Sequence, residues 1–276
     1  MAVPIYDNHV HLNPEGRNVE ALRVFEAAGG TGLTLVTLPY REVPISSGED
    51  FLRSFRITLS LAERGRDATG LRINVAVGPY PVLIIPLAEN YGLERAERIM
   101  AEGMEAAARL VSEGKADAIG EVGRPHFPVA REISEASDRV LMRGMELARD
   151  IGCPVIIHSE SEPSTYGDLR RMADAVGLDP GRVVKHSSGP LVTESETLGI
   201  VPSIPASRSA TREALAKGNR FMLETDYIDD PGNASAVMSI NTVPKRIKAM
   251  RASGEMSDED AHRICGEIPQ RLYDFR

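Results

Sequence analysis

The 276-residue sequence predicts an α/β chain folded as a (β/α)8 TIM barrel with extra C-terminal helices. Three observations lead there. Short apolar runs alternate with stretches whose apolar residues recur at helical spacing, the mark of parallel βαβ units. Eight such runs fit into about 230 residues, the strand count of a closed barrel. No run is followed by a G-x-G-x-x-G turn, so the open doubly wound sheet lacks its signature here.

The elements follow in order along the chain. IYDNHVHL (5–12) reads as the first strand and NVEALRVFEAA (18–28) as a helix. GLTLVTL (32–38) is the second strand, EDFLRSFRITLSLAER (49–64) a helix, and LRINVAVG (71–78) the third strand. Residues 92–114 form a long helical pattern closed by Gly114, a common C-terminal cap. ADAIGEVG (116–123) and PVIIHSE (154–160) are strands on either side of a helix at 134–152. A helix at 165–177 leads to RVVKHSS (182–188), then LGIVPSI (198–204). A helix at 211–218 and the strand RFMLETD (220–226) complete the series. Residues 241–250, 258–268 and 269–275 read as further helices closing the outer ring. No linker, low-complexity segment or repeat interrupts the pattern, so residues 1–276 are read as one domain.

Composition narrows the class. Apolar residues are 42% and charged residues 26%, as in soluble globular proteins. No apolar stretch approaches the roughly 20 residues of a membrane span, and the start, MAVPIYDNHV, has no basic or apolar region of a signal peptide. Cys153 and Cys265 are the two cysteines, which suits a reducing, cytoplasmic setting and small buried thiols. The net charge of −8 argues against strong general affinity for nucleic acid.

Functional residues of such a barrel lie at the C-terminal ends of its strands. His9 and His11 end the first strand, Glu121 the fourth, His158 the fifth, His186 the sixth and Asp226 the eighth. The period of two turns His9 and His11 the same way, into the mouth. A lone histidine there is an ordinary hydrogen-bonded residue, and a lone carboxylate an ordinary helix cap. Four histidines and two carboxylates on one rim are a ligand set. Unpaired, they would be costly to bury together. Imidazole and carboxylate suit Zn, Mn, Ni or Fe(II), and two ions could share the set.

The ordered residues HxH at 9–11, GExG at 120–123, HS at 158–159, His186 and ETD at 224–226 resemble the TatD-type metal-dependent hydrolases of the amidohydrolase superfamily. The ending GEIPQRLYDF (266–275) is similar to that family's closing segment. Glu121, where related branches carry a modified lysine, favours the TatD branch. The resemblance implies two divalent ions (Zn, Mn, Mg or Ni), one held by His9, His11 and Asp226, the other by His158 and His186, with Glu121 bridging. It implies a metal-bound hydroxide as nucleophile, with Asp226 as proton acceptor and Glu121 as the second catalytic carboxylate.

The chain departs from the family at its substrate contacts. Arg124-Pro125 follows GEVG where the family has Leu-Asp, and Glu160 stands where the family has an arginine. Ser187-Ser188-Gly189 replaces a cysteine-aromatic pair. An acidic Glu160 would repel a phosphodiester backbone. Arg124 and His126, after the fourth strand, and Arg208, after the seventh, are the candidate substrate contacts. Glu224 shares the inward face with Asp226 and would orient a ligand. Lys185 should point away from the mouth. His262 lies on a late helix, off the rim. The expectation is a hydrolase of a small or medium molecule with an amide, ester or phosphoester bond. A TatD-like deoxyribonuclease is the alternative within that chemistry, and a non-catalytic metal-binding barrel the alternative outside it.

Overall fold

A computed structural model describes residues 3–230 and 238–274. Its strands are β1 (Tyr6–His11), β2 (Gly32–Val36), β3 (Arg72–Val77), β4 (Ala118–Gly123), β5 (Val155–His158), β6 (Val183–Lys185), β7 (Val201–Pro205), β8 (Met222–Glu224) and β9 (Tyr227–Ile228). They form one parallel sheet in the order β8-β7-β6-β5-β4-β3-β2-β1-β9. Seven of the eight anticipated strands fall on single elements. The eighth, read as RFMLETD, is split: β8 pairs with β7, while β9 pairs with β1 through Val10 and His11. Only Thr225 and Asp226 separate the two halves, so one bent strand joins both edges of the sheet and closes the ring. Asp226 takes a left-handed backbone (φ 51°) at the bend, a conformation that aspartate tolerates better than most residues.

A buried carboxylate holds this closure. Asp7 Oδ1 accepts the Thr225 amide at 3.0 Å and Oδ2 accepts the Thr225 hydroxyl at 2.7 Å. Burial raises the Asp7 carboxyl to about 8 despite these bonds.

The helices on the outside are α1 (Val19–Ala27), α2 (Gly48–Ala68), α3 (Ile84–Tyr91), α4 (Leu93–Ser112), α5 (Arg131–Ile151), α6 (Pro163–Val176), the one-turn α7 (Glu194–Thr197) and α8 (Arg208–Lys217). The tail forms α9 (Thr242–Ala252), α10 (Asp258–His262) and α11 (Ile268–Tyr273), the last two joined by a π-helical turn at Arg263–Glu267. The helix α3, entered through a turn at Pro81–Leu83, is an addition to the sequence pattern. Pro81 and Pro86 obscure its periodicity, although proline suits the first turn of a helix. The motif GEIPQRLYDF spans the π turn and α11, with Phe275 outside the described residues.

The core has two parts. Phe25, Phe51, Phe55 and Met104 pack among the helices and the first strands. Ile5, Val184 and Ile204 of the barrel meet Val243, Ile247, Ile264 and Leu272 of the tail. The tail is therefore packed into the barrel and does not hang beside it.

Two strands carry an extra residue. Between Asp7 and Val10, β1 spends three steps where β2 spends two, and β4 does the same between Ile119 and Val122 against β5. Bulges are uncommon in parallel pairs and concentrate beside active sites, where they re-aim a side chain. Here they fall at Asn8–His9 and Gly120–Glu121.

Thr225→Val keeps the shape of the closing residue but removes the one hydroxyl that donates to Asp7 and accepts the Tyr227 amide. It should lose roughly 1–3 kcal/mol of stability, the cost of buried polar groups left unpaired. The measurement is a urea midpoint at unchanged m-value; a wild-type midpoint would show that the ring does not depend on this contact.

Candidate metal centre

Glu121 projects from the β4 bulge and is 4% exposed. Four imidazoles surround it. His158 Nδ1 lies 3.2 Å from Oε2, His9 Nε2 3.6 Å and His186 Nε2 3.7 Å, and His11 Nε2 is 3.9 Å from Oε1. The glycines flanking it explain the GExG pattern in space. A Cβ on Gly120 would come within 2.7 Å of Ile156 Cβ, and one on Gly123 (φ +141°) within 2.0 Å of the His158 carbonyl oxygen. Only glycine lets β4 press against β5 there, and that approach brings His158 to Glu121.

His9 and His11 meet through their Nε2 atoms at 3.1 Å. Val36 O, 3.0 Å from His11 Nδ1, can only accept, so Nδ1 carries a proton and Nε2 is the nitrogen turned to the cluster. Asp226 Oδ1 lies 3.4 Å from the same Nε2. His9 stacks on His186 with ring centroids 3.9 Å apart. His186 Nδ1 is 2.9 Å from Glu224 Oε1, a close ion-pair contact that is not aligned as a hydrogen bond. His9 Nδ1 is buried with no hydrogen-bond partner.

The charges are set by this crowding. Burial alone would push Glu121 up, but the His158 hydrogen bond and the charges of His9 and His186 hold its carboxyl well below the usual carboxylate range. Burial and His11 act against one another in the same way on Asp226, which ends at about 2. Burial and the neighbouring His186 push His9 down. On His186 burial is outweighed by Glu224, and its pKa rises to about 9. His11 is raised too, because the contact with Asp226 and the charge of Glu121 outweigh its burial, so two ionised carboxylates face a crowd of imidazoles that compete for protons.

That donor set fits divalent cations. His9, His11 and Glu121 bring ligand atoms within 4.8 Å of one another, as do Glu121, His158 and His186, and also His9, His186 and Glu224. A cation would take the place of protons now shared within the cluster, that of His186 among them, and would lie among donors that converge on Glu121. All six residues anticipated as ligands come together.

The anticipated substrate contacts divide. His126 Nδ1 is 2.8 Å from His158 Nε2, so it borders the cluster. Arg124 is 8% exposed and is enclosed by Glu160 at 2.8 Å, Asp138 at 3.2 Å and Asp168 at 3.3 Å. Arg124 and Glu160, read from the sequence as opposing influences on a substrate, are each other's partner. Arg208 is exposed and bound to Glu255 at 2.8 Å, alongside Arg212; the structure does not bring it to the cluster. Lys185 donates to the backbone oxygens of His186 and Ser159 at 2.6 and 3.2 Å, and burial lowers it to about 8. His262 ends α10, off the rim. Tyr80 was not among the candidates, yet its ring meets His158 edge-on at 5.3 Å. It follows β3, so the strand-end rule points to it; the sequence reading sought ligands, and tyrosine is a rare one.

Comparison with known proteins agrees with this arrangement. The TatD related DNase family matches residues 6–274. The chain belongs to that family. The uncharacterized protein MJ1127 of Methanocaldococcus jannaschii is 34% identical over 99% of this chain and 97% of its own length. Among solved structures, an organophosphorus hydrolase from Deinococcus radiodurans superposes with a TM-score of 0.68 at 16% identity, covering 98% of this chain and 92% of that one. The TatD-like protein from Archaeoglobus fulgidus gives 0.63 at 18%, with 98% and 99% covered. The phosphotriesterase homology protein from Escherichia coli, complexed with phosphate in its active site, gives 0.64 at 15%, with 98% and 99% covered. At such identities these structures speak for the shared barrel.

Cys153 and Cys265 are buried, unpaired and outside the cluster, and burial raises their thiols to about 11 and about 12. Among the described residues, neither joins a cluster that could hold a metal. The double Cys→Ala variant should bind as much metal as wild type by elemental analysis; loss of metal with the fold intact by circular dichroism would contradict the ligand set.

Proposed function

We propose that this TatD-family chain is a divalent-metal-dependent hydrolase of a small or medium molecule carrying an amide, ester or phosphoester bond. The carrying observation is Glu121 with four imidazoles within 4 Å and Asp226 beside His11. His9, His11 and Asp226 would hold one ion, His158 and His186 a second, and Glu121 would lie between them. The donors suit Zn, Mn, Mg or Ni. Bound there, the ions supply Lewis-acid polarisation of the substrate and a water acidic enough to ionise near neutral pH.

The protein's own residues divide the remaining work. Asp226, ionised and with 36% of its side chain exposed, is the carboxylate open to the mouth and accepts the proton of the attacking water. Glu121, with a 5% exposed side chain, contributes charge and no proton transfer. His126 and Phe127 edge a cleft of about 580 Å³ beside His158, floored by Arg124, Glu160 and Asp168. Its volume suits a compact substrate, and the carboxylates of Glu160, Glu162 and Asp168 in its lining disfavour a DNA backbone. Phosphodiester cleavage is the second reading, supported by the family's name. The two buried, unpaired thiols support a cytoplasmic location. Among the described residues, no helix is long and apolar enough to cross a membrane.

The two carboxylates separate in a metal titration of activity. Asp226→Asn retains an amide oxygen near His11 but no base, so it should lose about 10²–10⁴ in rate at saturating metal. Glu121→Gln should lose metal first and regain part of its activity as metal is added. Rescue of Asp226→Asn, with Glu121→Gln beyond rescue, would reverse the assignments.

A further inference from the structure

A chain of buried hydrogen bonds runs from the C-terminal helix to Glu224, which faces His186. The Tyr273 hydroxyl of α11 donates to Asn8 Oδ1 at 2.6 Å. Asn8 Nδ2 donates to Ser203 Oγ on β7 at 3.1 Å. Ser203 Oγ donates to Glu224 Oε2 on β8 at 2.5 Å. Glu224 Oε1 accepts the Ser187 amide at 2.7 Å and faces His186 Nδ1 at 2.9 Å. Asn8, Ser203 and Glu224 are 0% exposed, and Tyr273 and His186 3%.

The chain has one direction. Glu224, as a carboxylate, can only accept, so the single hydroxyl hydrogen of Ser203 goes to it. Ser203 must then receive a hydrogen, which turns the Asn8 NH₂ toward it and leaves the Asn8 oxygen toward Tyr273. Tyr273 is thereby the donor. Away from water, a break at any link leaves a polar group unsatisfied, so the links hold one another in place. At the far end, the Glu224 carboxylate stands 2.9 Å from His186 Nδ1 and so holds the ring with Nε2 toward Glu121, at 3.7 Å. The outer partner of a ligating histidine fixes its tautomer and orientation.

We propose that Tyr273 is a positioning residue of the metal centre, acting on His186 through Asn8, Ser203 and Glu224. This rests on the metal-centre reading above and adds a coupling to it. Docking of the C-terminal helix and loading of the ion at His158 and His186 stabilise each other, since linkage between two equilibria is reciprocal. The stacking of Tyr273 on Tyr6, at 6.2 Å between ring centroids, survives removal of the hydroxyl, so the two contributions separate.

Tyr273→Phe and Ser203→Ala test the chain. In metal-free protein labelled with ¹⁵N in its histidine rings, both variants should shift the His186 ring nitrogens and leave those of His262 in place; Ser203→Thr, which keeps a hydroxyl, should restore the wild-type signal. In a calorimetric Mn titration, Tyr273→Phe should weaken one of the two ions about tenfold and spare the other. Unchanged His186 signals in both variants, or equal weakening of both ions, would overturn the proposal. If Tyr273→Phe does not fold, Ser203→Ala decides by the same spectrum. A wild-type protein that takes up no Mn would sink the metal reading alone, because the metal-free spectra judge the chain independently.

Discussion

The crowding of four imidazoles around one buried carboxylate is the constraint on which the rest of this architecture depends. Glu121 stays ionised in a place where burial opposes it, because His158, His9 and His186 face it. Those residues come from β1, β5 and the turn after β6, and each must arrive within 4 Å. The barrel supplies that convergence, and local irregularity refines it. The extra residues in β1 and β4 occur beside His9 and Glu121 themselves. Gly123 exists where a side chain would strike the His158 backbone. Such features weaken a parallel sheet, and they are tolerated where they aim a donor.

Closure of the ring serves the same centre. The last strand breaks at Thr225 and Asp226, so that its first half completes the sheet and its second half reaches β1. Asp226 stands at the break, beside His11. Asp7 ties Thr225 down two residues before His9. A bend that joins the barrel therefore also delivers a carboxylate to its mouth. The tail is part of this design: Tyr273 reaches Asn8 through the core that α11 shares with the barrel.

Much of this was legible in the residues. Parallel strands buried on both faces read as apolar runs, and helices with one apolar face read at their own period, so the alternation was plain. The clustering of these six residues was legible because strand ends on one barrel rim bring distant residues together by rule. What escaped depends on three-dimensional partners. The split of the last strand is invisible in RFMLETDYI, since both halves are apolar enough to be one. Helix α3 hides behind Pro81 and Pro86. Arg124 looked like a free cation in its loop, but its charge is taken by Glu160, Asp138 and Asp168, and two of those lie on helices far along the chain. Arg208 likewise finds Glu255, 47 residues on. Charge pairing across the fold has no local signal, whereas the histidines advertised themselves by position.

Two ions sharing Glu121 are the core of the proposed function. Crystals grown with excess Mn and measured at the Mn absorption edge test it most directly. The expected result is two anomalous peaks about 3.5–4 Å apart, one beside His9, His11 and Asp226, the other beside His158 and His186, with Glu121 between them. A cluster without anomalous density under those conditions, or a single peak away from Glu121, would contradict it.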